Sequence, residues 1–251
     1  MQTLLAANWK MFKTGPEAIA AVQNLVEGLG GVCPVGREVL IFAPFTALEA
    51  TARAMNALPG GMVGAQNLYP AEEGAFTGEI SPRMIAACGA TWVLTGHSER
   101  RHIMGETNAF VGRKTGFALN RGLRVTLCVG ETLEEREAGK LEEVLSAQLR
   151  EGLADLPETF PPEALAVAYE PVWAIGTGKS ARPEDIVDAH GLARTLLKKI
   201  LGPQGQETRL LYGGSVKPDN AASILALDNV DGVLVGGASL QAESFIKIVT
   251  A

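Results

Sequence analysis

One carboxylate stands where an apolar run stops. In the stretch Ala168-Tyr169-Glu170-Pro171-Val172-Trp173-Ala174-Ile175-Gly176-Thr177-Gly178-Lys179, Glu170 follows a segment from Leu165 that reads as a strand. Pro171, without an N–H for a ladder, ends that strand. A carboxylate at such a position suits a general base. Trp173 and Ile175 are costly to leave in water, so they should pack when the following segment is shut. Gly176 and Gly178 tolerate positive φ and let backbone N–H groups approach an anion. The segment reads as a base followed by a phosphate-gripping lid, with a solvated loop acid as the plainer alternative.

Other residues able to do chemistry also gather just after apolar runs. They are Asn8 and Lys10, then Gly96-His97-Ser98-Glu99-Arg100-Arg101, then Cys128-Val129-Gly130-Glu131, and finally the glycine pairs Gly213-Gly214, with Ser215, and Gly236-Gly237. Taken singly, His97 reads as a satisfied structural histidine, Lys10 as a surface lysine and the glycine pairs as tight turns. Their shared position at strand ends argues for a site. His102 and His190, away from strand ends, keep the structural reading, and Arg100 and Arg101 read as structural or interface charges.

The elements that must position these residues alternate along the chain. Thr3 to Ala7 reads as a strand, and Ile19, Val22, Leu25-Val26 and Leu29 recur at helical spacing between Pro16 and Gly30-Gly31. Val39 to Phe42 predicts a second strand, followed by a helix capped by Thr46 that runs to about Met55. Further strands are predicted at Met62 to Ala65, Trp92 to Thr95, Val125 to Val129, Arg209 to Tyr212 and Val233 to Val235. Helices are predicted after Ser81-Pro82, from Thr107 to Asn120, within Thr132 to Leu153, after Arg182-Pro183, from Asp219 to Leu227 and over Phe245 to Val249. No linker rich in Pro, Gly or Ser interrupts this alternation, so residues 1–251 read as a single-domain α/β chain forming one closed (β/α)8 barrel. An open doubly wound sheet is the alternative. In a barrel the strand-end residues share one face, and glycine turns after the last two strands can aim N–H groups at a phosphate.

Composition sets outer bounds. At 251 residues, 47% hydrophobic and 20% charged with net charge −6, the chain reads as a soluble globular protein. The acidic balance speaks against a general nucleic-acid or membrane-surface binder. Cys33, Cys88 and Cys128 are far apart, with no paired spacing for a metal or redox dithiol, and fit reduced thiols in the cytoplasm. The first residues lack the pattern of a targeting segment.

With these motifs in order and at matching spacing over nearly the whole length, the chain resembles the triosephosphate isomerases. The resemblance rests on Asn8-Trp9-Lys10-Met11, Gly96 to Arg101, Ala168 to Gly178, Tyr212-Gly213-Gly214-Ser215-Val216 and Gly236-Gly237-Ala238-Ser239-Leu240. It implies a TIM barrel that interconverts dihydroxyacetone phosphate and D-glyceraldehyde 3-phosphate through an enediol(ate), in glycolysis and gluconeogenesis, with no cofactor and no metal. By resemblance Glu170 is the base, and His97, Lys10 and Asn8 donate to the carbonyl oxygen. An uncharged His97 at a helix start is a feature of that family and is carried over with the resemblance. Lys10 would also neutralise the phosphate, held by Glu99, while backbone N–H groups of Gly176, Ser215, Gly236 and Gly237 bind it. Closure of residues 172–178 would keep water from an intermediate that can otherwise eliminate phosphate. Ser98 and Tyr212 are placed as supports for Glu170 and the lid, and Cys128 as a buried packing thiol near the base. The long connection Gln66 to Ile80, with Tyr69 and Phe76 exposed on a lone chain, is expected to build a homodimer, with Thr77 near the partner subunit's Asn8 and Lys10. Small departures from the family pattern at Thr95, Phe12 and Met104 concern local packing.

Two other motifs fail on inspection. Gly178-Lys179-Ser180 ends like a nucleotide-binding P-loop, but the glycine required five positions earlier is Trp173. Gly96-His97-Ser98-Glu99-Arg100 lacks the last glycine of a nucleophile elbow. The rival from another class is a catalytically silent phosphometabolite binder on the same barrel.

Overall fold

The structure, a computed structural model, describes residues 2–174 and 181–251. Ile175, Gly176, Thr177, Gly178 and Lys179 of the expected lid lie outside the described residues. Strands β1 (Thr3–Asn8), β2 (Arg37–Ala43), β3 (Gly61–Ala65), β4 (Trp92–Thr95), β5 (Arg124–Val129), β6 (Leu165–Tyr169), β7 (Arg209–Tyr212) and β8 (Gly232–Val235) pair in parallel and in sequence order, and β8 pairs with β1 to close the barrel. Around it run α1 (Gly15–Gly28), α2 (Leu48–Met55), α3 (Pro82–Ala87), α4 (Ser98–His102), α5 (Asn108–Asn120), α6 (Leu133–Glu137), α7 (Leu141–Gly152), α8 (Pro183–Leu201), α9 (Gln204–Glu207), α10 (Ala221–Leu225) and α11 (Ala242–Val249). Among the described residues no helix is long and apolar enough to cross a membrane.

Local chemistry explains most helix starts. Ser81 accepts the Met84 N–H and Thr107 the Phe110 N–H, each satisfying an otherwise orphaned donor of the first turn. Two expectations about the helices are corrected. Thr46 caps no helix, because Phe45–Ala47 forms a 3-10 turn after Pro44 and α2 starts only at Leu48. Ile19 is exposed at 39%, since the inward face of α1 is carried by Ala18, Val22 and Leu25.

Two apolar layers form the core. Leu4, Ala6, Leu40, Phe42, Trp92, Leu94, Cys128, Ala166, Ala168, Leu211 and Leu234 form one buried cluster, and Leu5, Ala7, Val39, Ile41 and their counterparts pack with the helices in another. Successive strand residues point to opposite faces, so β1 sends Leu4 and Ala6 to the first cluster and Leu5 and Ala7 to the second. Trp92 is fully buried in the first cluster. Its Nε1–H donates to Met62 Sδ at 3.3 Å, and the Arg124 and Arg209 guanidiniums lie 5.8 and 5.5 Å from its ring. Gly64 leaves the space this requires: a Cβ there would sit 2.5 Å from the Phe42 ring and 2.8 Å from the Trp92 Cβ.

The 66–80 connection forms no helix or strand, and its root is tied to the barrel. Lys114 Nζ donates to Asn67 Oδ1 at 2.7 Å, and the Tyr69 N–H donates to the Ile80 carbonyl at 2.8 Å. Tyr69 is half-buried rather than exposed, because its ring lies 4.4 Å from that of Phe76 and 6.1 Å from that of Phe110. Phe76 is exposed at 42%.

Trp92→Ala should cost about 3–5 kcal/mol of stability, since the barrel interior cannot collapse around the void. Urea denaturation would check it, and a change below about 1 kcal/mol would show that Trp92 does not carry the interior packing.

Candidate active site

At the carboxyl ends of β1, β4 and β6 the chain assembles a buried polar cluster. Asn8, the last residue of β1, is 4% exposed, and its Oδ1 accepts the Lys10 N–H at 2.9 Å. That bond supports Lys10 in the left-handed region, at φ 51°, which a residue with a Cβ adopts only when held there. Gln66 holds the same turn from β3, donating to the Lys10 and Phe42 carbonyls at 2.8 and 3.1 Å. The turn aims Lys10 Nζ at Glu99 Oε1, 2.7 Å away, and beside Gly236, whose missing Cβ would lie 3.5 Å from Lys10 Cε.

From β4, His97 precedes α4 and its Nδ1 accepts the Glu99 N–H at 3.3 Å. When the ring is neutral its proton is therefore on Nε2, which lies 3.0 Å from Glu170 Oε1. The Ser98 N–H donates to Glu170 Oε2 at 2.9 Å and Ser98 Oγ–H to Oε1 at 3.3 Å. Glu170 is 2% exposed. Burial alone would push its carboxyl up, but His97, the Ser98 N–H and Lys10 together hold it below the ordinary carboxylate range. Burial likewise opposes a charged His97, yet the Glu170 carboxylate, by its charge and hydrogen bond, and the Glu99 carboxylate together lift the imidazole above its ordinary value. Reasoning from the helix start alone omitted this influence, the neighbouring carboxylates.

The remaining strand ends close around Glu170. Arg101 bridges β4 and β5, donating to the Gly96 and Cys128 carbonyls at 2.7 and 3.1 Å, and Arg100 pairs with Glu106 at 2.6 Å. Cys128 is fully buried in the barrel interior, where burial and the Glu170 charge push its thiol well up, so it stays a neutral packing group. Gly213 and Gly214 are required for space. A Cβ on Gly213 would lie 2.9 Å from Glu170 Cγ, and one on Gly214 2.1 Å from the Tyr212 hydroxyl. Tyr212 is buried, and that burial pushes its phenol up to about 12. Ser215, Gly236 and Gly237 lie in the loops after β7 and β8, partly open to solvent. Thr77 is exposed on the 66–80 connection. His190 keeps its structural role, with Nδ1 2.8 Å from the Asn229 carbonyl and burial lowering its pKa to about 4.

Sequence reasoning assigned no role to Gln66 or Glu131. Glu131 is fully buried and accepts the Tyr169 hydroxyl at 3.0 Å and the Trp173 indole N–H at 2.8 Å, while the Arg136 guanidinium lies 5.3 Å from the Trp173 ring. Both acids and amides follow strand ends, so position alone marked them, but their partners are far away in the chain. The cluster unites a shielded carboxylate with an imidazole N–H, an amide and an ammonium, the set needed to remove a proton beside a carbonyl and steady the charge that results.

Comparison with known proteins agrees with this geometry. The family model described as triosephosphate isomerase matches residues 3–251. The chain is 59% identical over 251 residues to the triosephosphate isomerase of Oleidesulfovibrio alaskensis, covering 100% of both. It is 51% identical to that of Lawsonia intracellularis, covering 100% of this chain and 98% of the relative, and 48% identical to that of Chloroflexus aurantiacus, covering 98% and 97%. The crystal structure of the Bartonella henselae triosephosphate isomerase superposes with a TM-score of 0.86 at 38% identity, over 99% of this chain and 98% of the other. A carboxylate, an imidazole and an ammonium meeting at one rim of a closed parallel barrel, together with matches spanning the chain, place it in the triosephosphate isomerase family.

Proposed function

We propose that the chain interconverts dihydroxyacetone phosphate and D-glyceraldehyde 3-phosphate, with Glu170 moving the proton between the two carbons. The observation that carries this reading is the Glu170 carboxylate, 2% exposed and 3.0 Å from His97 Nε2. To reach a substrate carbon Glu170 gives up its bonds to Ser98, so Ser98 parks the base. His97 Nδ1 accepts the Glu99 N–H, so the neutral imidazole keeps its proton on Nε2, and once Glu170 turns to the substrate that Nε2–H donates to the carbonyl oxygen. Asn8 and Lys10 donate beside it. Losing one such donor costs roughly 3–4 kcal/mol of transition-state stabilisation in comparable sites. The proton then returns from Glu170 to the neighbouring carbon.

Lys10 also faces the phosphate, with Glu99 holding it, and the backbone N–H groups of Gly176, Ser215, Gly236 and Gly237 bind the dianion. Support comes from the Lys10 stem, which lies at ordinary contact distance beside Gly236 of the loop after β8. Tyr212 and Ser98 support the base and the lid, and Cys128 packs beneath them. A homodimer completes the protein, with Thr77 reaching the partner subunit's site. The exposed apolar residues Met11, Phe12, Phe45, Phe76, Met84, Ile103 and Met104 follow four successive strands at the site end of the barrel, and a shared interface would take them from water. Three free cysteines fit a cytoplasmic protein.

Incubation with dihydroxyacetone phosphate in deuterated water should place solvent deuterium on the carbon skeleton, and Glu170→Asp, one methylene shorter, should slow turnover roughly a hundredfold with KM little changed. A silent binder would exchange nothing, and full activity in Glu170→Asp would remove Glu170 from its role. In 15N-detected titrations His97 should titrate above about 6.5 in the parent protein and clearly lower in Glu170→Gln, where burial remains but the carboxylate is gone. An unchanged value would break the pairing. Analytical ultracentrifugation should give twice the 26.4 kDa chain mass, and a fully active monomer would contradict the dimer.

A further inference from the structure

We propose that Gln148, in α7, is a positioning residue that fixes the backbone of the base from behind, through Gly130. Its side-chain amide meets both polar groups of a single residue: Oε1 accepts the Gly130 N–H at 2.7 Å, and Nε2 donates to the Gly130 carbonyl at 3.1 Å. Gln148 is itself only 7% exposed. The Cα of the same glycine lies against the base, for a Cβ there would sit 1.7 Å from the Glu170 carbonyl oxygen and 2.7 Å from its carbonyl carbon. The residues on either side grip the same segment: the Glu170 N–H donates to the Val129 carbonyl at 2.7 Å, and the Val172 N–H to the Glu131 carbonyl at 3.1 Å. Residues 129–131 thus form a bracket under residues 170–172, and Gln148 holds its middle.

The amide is the chemistry this task requires. Gly130 offers one donor and one acceptor to α7, and an amide of this length presents both an acceptor and a donor without charge at every pH the protein meets. Without it, two buried backbone groups lack partners and the segment must move to find them. Contact with Glu170 blocks movement toward the base, so the bracket relaxes away from it and Glu170 loses its fixed origin. Proton abstraction is sensitive to such a shift, with about 1 Å of misplacement costing on the order of a hundredfold. Gln148 contacts the site only through this backbone, so substrate affinity should be spared.

The inference rests on Glu170 being the base, and Glu170→Gln is therefore assayed beside it. Gln148→Leu keeps the shape and removes both hydrogen bonds; kcat should fall roughly ten- to a hundredfold with KM within about twofold of the parent. A kcat within twofold of the parent, or a loss expressed only in KM, would overturn the proposal. Turnover retained in Glu170→Gln would instead remove the base itself. Gln148→Glu gives a readout that a packing role would not move. Protonated, its carboxyl can accept from the Gly130 N–H and donate to the Gly130 carbonyl; ionised, it opposes that carbonyl. Its kcat relative to the parent should be near normal at low pH and fall as the introduced carboxyl ionises. Arg101, His102, Glu106, Glu135 and Glu143 line the same cavity as Gln148, so the parent is titrated in parallel as the reference. A pH profile parallel to the parent's would sink the proposal, even if Gln148→Leu failed to fold.

Discussion

A carboxylate removed from water constrains the whole upper rim of this barrel. Glu170 is almost fully buried, and an ionised group in that position is tolerated only with donors and positive charge around it. Ser98 supplies two donors, His97 a ring nitrogen, and Lys10 a charge whose effect reaches the same carboxyl. These come from strands β1 and β4, while Glu170 follows β6, so the site exists only if the barrel closes in register. The polar cluster around Glu170 and the closed fold are in this sense one requirement.

The close approach of strand ends has a second consequence, a demand for residues without side chains. Gly130 lies against the Glu170 peptide, Gly213 against its Cγ and Gly214 against the Tyr212 hydroxyl. A methyl group at Gly130 or Gly213 would displace Glu170, and one at Gly214 would displace the Tyr212 hydroxyl. Side chains from outside the barrel hold backbone at this rim: Arg101 of α4 the Gly96 and Cys128 carbonyls, and Gln148 of α7 the Gly130 peptide groups. Helices therefore do more than cover the sheet, because they set the height of the loops on which the site stands.

Deeper in the barrel the physics changes from polar to apolar. Trp92 fills the interior between two guanidiniums, and Arg209 pairs with Glu38 of β2. Apolar packing is concentrated there and the polar cluster at the carboxyl ends, so the hydrogen bonds of Glu170 stand apart from the core. Glu131 joins the two regimes, a buried acid whose pKa burial raises and which binds Tyr169 of β6 and Trp173 beyond it.

Local signals in the sequence were sufficient for the alternation of strands and helices, the caps at Ser81 and Thr107, and the gathering of Glu170, His97, Lys10 and Asn8 at strand ends, because each depends on neighbours a few residues away. Thr46 failed as a cap because a 3-10 turn intervened, and the inward face of each strand was hidden because parallel strands buried on both sides read as unbroken apolar runs. Tertiary structure alone decided the rest: Glu170 reaching Ser98 across 72 residues, Gln66 holding Lys10 across 56, and Gln148 meeting Gly130 from another element. The charge balance of His97 belongs there as well. Its pKa answers to a carboxylate brought beside it by closure of the barrel, and no spacing along the chain encodes that distance.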